Sequence, residues 1–198
     1  METEWITTTR VLEDLETSND CDTWNVFYRH FNPMLVNFGK HLGLSNNDAQ
    51  DAAQKTLMEF VKAFRAGKYN RNRGRLKSWL SGIARNVILD FRKRLPREKL
   101  IRNETTGMSF WDLIEDENAI KHTWNTEWRR MILMNCLGQA RREFSPKVFE
   151  AFELYALLDK SADEVAKQLD MSRTAVYISK SRVLSKVCEL GNEFEKDG

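Results

Sequence analysis

At 198 residues the chain has room for one medium domain or two small ones, and its 41% apolar content supports packed cores rather than global disorder. Three widely spaced cysteines (Cys21, Cys136, Cys188) and three isolated histidines (His30, His41, His122) form neither a disulfide framework nor a metal-ligand spacing, so neither a metal site nor a cofactor is expected. The opening METEWITTTRVLEDLE is acidic and lacks the apolar run of a signal peptide, and no stretch approaches membrane-spanning length; a cytoplasmic protein without membrane insertion is expected.

The formal charge of +2 conceals an asymmetry. Residues 68–102 carry 12 Lys/Arg against 2 Asp/Glu, while residues 1–67 carry 6 against 10 and residues 103–198 carry 13 against 17. A net +10 held between two acidic segments points to a polyanionic partner; the plainer account is a solvated basic helix.

Helical spacing dominates and only Pro33, Pro96 and Pro146 interrupt it, which predicts an all-α fold of two small helical domains joined by a linker. The first helix is expected over Thr8–Glu16. The second runs from about Thr23 to His41, with Trp24, Phe27, Phe31, Leu35, Phe38 and Leu42 on one side and a kink expected at Pro33. Ser45 or Asn46 caps a third helix reaching Phe64, with Ala49, Ala53, Leu57, Phe60, Val61 and Phe64 at helical spacing. The basic loop RAGKYNRNRG leads into LKSWLSGIARNVILDFRKR, which stops near Leu95-Pro96. Residues 97–125 are polar, turn acidic and read as a linker with one apolar anchor, Phe110-Trp111-Leu113-Ile114. Helicity resumes near Thr126. Ser145-Pro146 then reads as an N-cap followed by Pro at the first helical position, opening a helix that carries Val148, Phe149, Phe152, Leu154, Tyr155 and Leu158. The expected domains are therefore 1–96 and 126–198.

Two stretches carry the functional signal. In SADEVAKQLDMSRTAVYISKSRVLSKV (161–187), Ser161 and Glu164 have capping-box spacing, and Ala166 is small where two helices would cross. Ser172 can cap the next helix, in which Val176, Val183, Leu184 and Val187 pack inward. Arg173, Thr174, Tyr177, Lys180, Ser181 and Arg182 are then left projecting, as in a helix-turn-helix whose second helix enters the major groove. Asp170 stands where such turns usually carry Gly, at a position that often needs φ > 0. A plain αα-hairpin is the competing account. In LKSWLSGIARNVILDFRKR, Leu76, Leu80, Ile83, Ala84, Val87 and Phe91 fall on one apolar stripe. Beside it, Arg75, Trp79, Gly82, Asn86 and Lys93 fall within about 60° of one another. An aromatic, an amide and cations suit an unpaired strand, offering stacking, base-edge hydrogen bonds and phosphate contacts. The preceding loop adds Lys68, Tyr69, Asn70, Arg71, Asn72 and Arg73. Taken singly, Trp79 is more commonly a rim residue of the core and Asn86 a cap or internal bridge; together with the loop and the net +10 segment they favour the single-strand reading.

The stretch DAQDAAQKTLMEFVKAF followed by GRLKSWLSGIARNVILDFRKR resembles region 2 of bacterial sigma factors, and the carboxy-terminal helix-turn-helix resembles sigma region 4. With a short linker between them, the chain resembles an extracytoplasmic-function (ECF) sigma factor over about residues 20–95 and 128–190. The resemblance implies that Asp51, Gln54, Glu59 and Phe60 contact core RNA polymerase. It implies that Lys68–Arg75 and Asn86 embrace a flipped base of the −10 element, with Trp79 shaping that site. Arg85, Arg92, Lys93, Arg94 and Arg97 would hold the DNA backbone, and Arg173, Thr174, Tyr177, Lys180, Ser181 and Arg182 would read the −35 element. It also implies promoter DNA as a partner, frequent control by an anti-sigma factor, a monomer when free of polymerase, and no catalysis. A stand-alone helix-turn-helix regulator would account for the carboxy-terminal half alone. A nuclease would need clustered carboxylates to hold a metal, and Asp112, Glu115, Asp116 and Glu117 lie in the expected linker.

Overall fold

The computed structural model of the chain describes residues 12, 13, 15, 21–94 and 117–197. The expected helix Thr8–Glu16 falls largely outside them. So do the apolar anchor at 110–114, Arg97, and the carboxylates Asp112, Glu115 and Asp116. The fold is all-α, and it divides into two compact units, one ending at Met131 and the other covering Ile132–Asp197.

In the first unit, α1 (Cys21–His41), α2 (Asn46–Arg65) and α3 (Leu76–Arg94) pack around an aromatic centre. Phe27, Phe31, Phe38 and Phe60 are fully buried. Phe27 stacks on Phe60 at 4.6 Å and meets Phe31 at 4.4 Å. α1 continues through Pro33, which faces solvent, so the expected kink does not end the helix. Both α1 and α2 stop in the same way. Gly43 (φ 88°) and Gly67 (φ 66°) take left-handed conformations. Leu44 N–H then bonds Gly39 O, and Lys68 N–H bonds Ala63 O. These are Schellman closures, which satisfy carbonyls that a helix end leaves open. Ser45 is the N-cap of α2 and accepts from Asp48 N–H at 3.2 Å.

Residues 117–125, expected in the linker, are helical. α4 runs from Glu117 to Glu143, and Ile120, Trp124 and Trp128 are buried in the first unit. Trp124 meets Phe38 at 5.0 Å, and Trp128 meets Phe31 at 5.7 Å. Glu127 is buried on the same helix, with His41 Nδ1 3.4 Å from its carboxylate. A buried carboxylate without a polar partner would be costly.

The second unit contains the rest of α4, α5 (Pro146–Phe152) with a π-helical continuation over Glu153–Leu157, α6 (Ala162–Gln168) and α7 (Arg173–Asp197). Ala151, Leu154, Ala162, Val165, Ala166 and Val176 form the core of the α5–α6–α7 junction. The capping box is present in full: Ser161 Oγ accepts from Glu164 N–H, and Glu164 Oε2 accepts from Ser161 N–H at 2.9 Å. The Ser161 hydroxyl also donates to Glu164 Oε2 at 2.7 Å, and this bond, followed by the one from Ser161 N–H, holds the Glu164 carboxyl below its ordinary pKa of 4.5. Ser172 Oγ accepts from Ala175 N–H at 3.1 Å, as its position before α7 predicts. Leu158, at the end of the π turn that closes i→i+5 (Leu158 N–H to Glu153 O), is 65% exposed. One inward assignment is corrected: Leu184 is exposed, and the inward row of α7 is Val176, Val183, Val187, Leu190 and Phe194.

Asp170 has φ 47°, in the left-handed region, and Met171 N–H closes on Ala166 O at 3.0 Å. The turn is a third Schellman closure with Asp in the glycine position. Asp170→Gly is expected to raise stability by up to about 1 kcal/mol, since glycine carries no left-handed penalty; thermal melting of the full chain measures it. Cys136 is buried, which pushes its thiol up to about 11, whereas Cys188 is exposed. A thiol reagent at about pH 8 is expected to label Cys188 and spare Cys136 until the chain unfolds, read by peptide mass spectrometry.

Candidate nucleic-acid interface

The basic loop is built from its two ends. The Gly67 closure turns the chain out of α2 and delivers Lys68. Asn70 then caps a 3-10 turn, Arg71–Arg73, its Oδ1 accepting from Asn72 N–H at 2.9 Å. Arg75 O accepts from Ser78 and Trp79 N–H and opens α3. Between these points Tyr69 folds inward. Its ring lies 5.0 Å from Trp79 and 6.1 Å from Phe64. Trp79 in turn lies 5.1 Å from Phe60. Tyr69 and Trp79 are therefore half-buried and wedged onto the aromatic centre.

A cleft of about 340 Å³ opens there, lined by Lys68, Tyr69, Asn70, Gly74, Ser78 and Trp79. A pocket of this size holds a flat aromatic ligand such as a base. Four of the residues expected in a single-strand site thus meet in one cavity. Asn86 does not line it; this exposed residue sits about 10 Å further along α3, two helical turns from Trp79. Arg71, Asn72 and Arg75 are exposed around the loop, outside the cleft lining, and Arg73 belongs to the 3-10 turn. Ser78 was not anticipated. It precedes Trp79 on α3, and only the fold of the loop brings it to the cleft. Gly82 faces open space, so no close approach within the chain requires it.

The expected phosphate contacts differ among themselves. Lys93 is exposed, 4.0 Å from Asp90, and Arg92 is half-buried. Arg85 already pairs with Glu117 at the start of α4, at 3.2 Å. Such exposed pairs contribute about 0–1 kcal/mol, so a phosphate can displace the carboxylate. Arg94 ends α3.

On α2, Asp51, Gln54 and Glu59 are exposed, but Phe60 is wholly buried. Its ring is held by Phe27, Phe64 and Trp79, so Phe60 belongs to the core and cannot itself touch a partner. Gln54 instead borders an apolar groove of about 430 Å³ between α1 and α2, with Trp24, Tyr28, Leu57, Met58 and Arg65. The sequence carried a signal for Met58, which lies four residues beyond Gln54 and so on the same helical face.

In the second unit Arg173, Thr174, Tyr177 and Ser181 project from one face of α7. Arg173 is held by Asp163 at 3.1 Å, and Tyr177 stands edge-on to Tyr155. Lys180 lies over the Tyr155 ring at 5.1 Å. Arg182 lies on the other flank of the helix, over Phe144 at 5.5 Å, apart from the Arg173–Tyr177 row. Lys186 is neutralised by Glu143 at 3.1 Å.

Residues 27–98 match the family model described as Sigma-70 region 2. That segment contains α2, the basic loop, the cleft and α3. No curated protein matches the chain. The region 2 match supports a sigma-70-family RNA polymerase sigma factor, acting in promoter recognition and melting with core polymerase and promoter DNA. Sigma factors are initiation factors without catalysis of their own. Among the described residues no helix is long and apolar enough to cross a membrane, and no cluster of His, Cys, Asp or Glu could hold a metal ion.

Proposed function

We propose that this chain, with a sigma-70 region 2 at residues 27–98, is an alternative sigma factor of the ECF class. In this reading the first unit binds core polymerase and opens the −10 element. The helix-turn-helix of the second unit plays the part of region 4 and reads the −35 element through Arg173, Thr174, Tyr177 and Ser181. Lys180 and Arg182 are backbone contacts from the two flanks. Asp51, Gln54 and the α1–α2 groove face the polymerase. The protein works in the cytoplasm as a monomer when free of polymerase, and an anti-sigma factor is the regulator this class implies.

The observation that carries the reading is the cleft. A tyrosine and a tryptophan, fixed from behind by the core, wall a base-sized cavity beside a lysine, and arginines surround its loop. Extruding a base from a duplex costs a few kcal/mol, and stacking on aromatic side chains offsets about 1–3 kcal/mol per base. A helix-turn-helix regulator acting on intact duplex has no use for such a cavity.

The test is run-off transcription from a library of genomic fragments with core polymerase. Added protein is expected to start transcription at discrete sites that core polymerase alone ignores. Absence of specific starts, together with tight binding of a duplex site by the protein alone, would favour the stand-alone regulator.

A further inference from the structure

The polar lining of the cleft is biased toward hydrogen-bond donors. Lys68 contributes an ammonium, which can only donate. Asn70 is the telling residue. An amide side chain ordinarily offers an acceptor and a donor group in equal measure. Here Oδ1 already accepts from Asn72 N–H to hold the 3-10 turn, and a backbone N–H accepts no substitute for an oxygen there. With one lone pair of Oδ1 committed to that cap and both hydrogens of the NH₂ outside it, Asn70 has more donors than acceptors left to give the cleft. Ser78 adds a hydroxyl, and no carboxylate lines the cavity. Tyr69 and Trp79 supply ring faces that stack on any base.

Resting on the base-capture reading of this cleft, we infer that the captured base is a keto base, guanine or thymine, in preference to adenine or cytosine. Guanine presents O6 and N7, and thymine O4, as acceptors on the edge that adenine and cytosine mark with an exocyclic NH₂. Against a donor-lined wall the keto oxygens are bonded, whereas an exocyclic amine meets another donor and loses its partner on entry. The stacking faces set how tightly a base is held, and Asn70 with Lys68 sets which one.

The substitution that tests this is Asn70→Asp. Aspartate keeps the oxygen that caps the 3-10 turn and replaces the NH₂ donor by an acceptor, so the loop persists while the wall changes sign. The full chain, assembled with core polymerase, is offered duplex DNA carrying a randomised premelted segment on the non-template strand, and the retained DNA is sequenced. With the native chain, one position is expected to be enriched roughly tenfold for guanine and thymine, the scale of one good base-edge contact. With Asn70→Asp that position is expected to shift toward adenine and cytosine while the others stay unchanged. Enrichment of adenine or cytosine by the native chain overturns the inference and leaves base capture standing. So does a native keto preference that Asn70→Asp leaves unmoved, or an equal loss for all four bases. Retained DNA with no enrichment at any position overturns the inference and leaves unselective stacking, whereas a native complex that retains premelted DNA no better than fully paired duplex overturns base capture itself, and the inference with it.

Discussion

Replacing Phe60 by alanine is expected to destabilise the first unit by about 3–5 kcal/mol, the usual cost of truncating a buried phenylalanine. The upper end applies, because Phe60 is fully buried and its ring packs on Phe27, Phe64 and Trp79. Aromatic pairs add about 0.5–1.5 kcal/mol beyond the area they bury. Against a typical domain stability of about 5–15 kcal/mol, that is a large fraction. Two compact units need not melt together, so a single midpoint is a poor readout. Hydrogen exchange on the full chain separates them: amides of α1, α2 and α3 lose protection, while those of α6 and α7 keep it. The same variant settles what Phe60 does for polymerase. Phe60→Leu retains much of the volume and is expected to keep polymerase binding, whereas Phe60→Ala loses it with the fold. A Phe60→Leu chain that folds normally yet fails to bind core polymerase would return Phe60 to the interface.

Phe60 also shows where the sequence stops being legible. Spacing identifies the apolar arc of α2, but burial within that arc depends on which neighbours close over it, and Trp79 and Phe27 come from other helices. The same limit applies to α4. Ile120, Trp124 and Trp128 recur every four residues, a helical signal that the surrounding Asn, Lys, His and Thr diluted into an apparent linker. The Arg85–Glu117 pair joins residues 32 apart and has no local signature. By contrast, features set by backbone chemistry were readable: the Ser45 cap, the Ser161–Glu164 box, and the left-handed Asp170. The apolar stripe of α3 was readable too, through Leu76, Leu80, Ala84 and Val87, with Ile88 buried and Ile83 and Phe91 only half-covered. The candidate site falls between these cases. Its residue types were visible, but the membership of the cleft was not. Asn86 shares a helix face with Trp79 and still lies two turns from the cavity, and Ser78 reaches it from off that face.

That placement ranks the residues for promoter opening. Tyr69→Ala removes one wall of the cleft, and the lost stacking is expected to lower transcription from a duplex promoter by roughly 5- to 150-fold. Asn86→Ala is expected to do less, because the residue stands outside the lining. Tyr69→Phe keeps the ring and should stay near the native level. The loss is conditional on the template. Opening a duplex sets base capture against base pairing and stacking, so any lost capture energy shifts the balance directly. A premelted −10 segment removes the opposing cost, the open complex stays saturated, and transcription by Tyr69→Ala should recover most of the difference. Affinity for core polymerase should be unchanged on either template, since the polymerase face proposed above, Asp51, Gln54 and the α1–α2 groove, does not include Tyr69. Equal impairment of Tyr69→Ala on duplex and premelted templates, with normal polymerase binding, would place Tyr69 outside strand opening and reduce the cleft to a structural wedge for the loop.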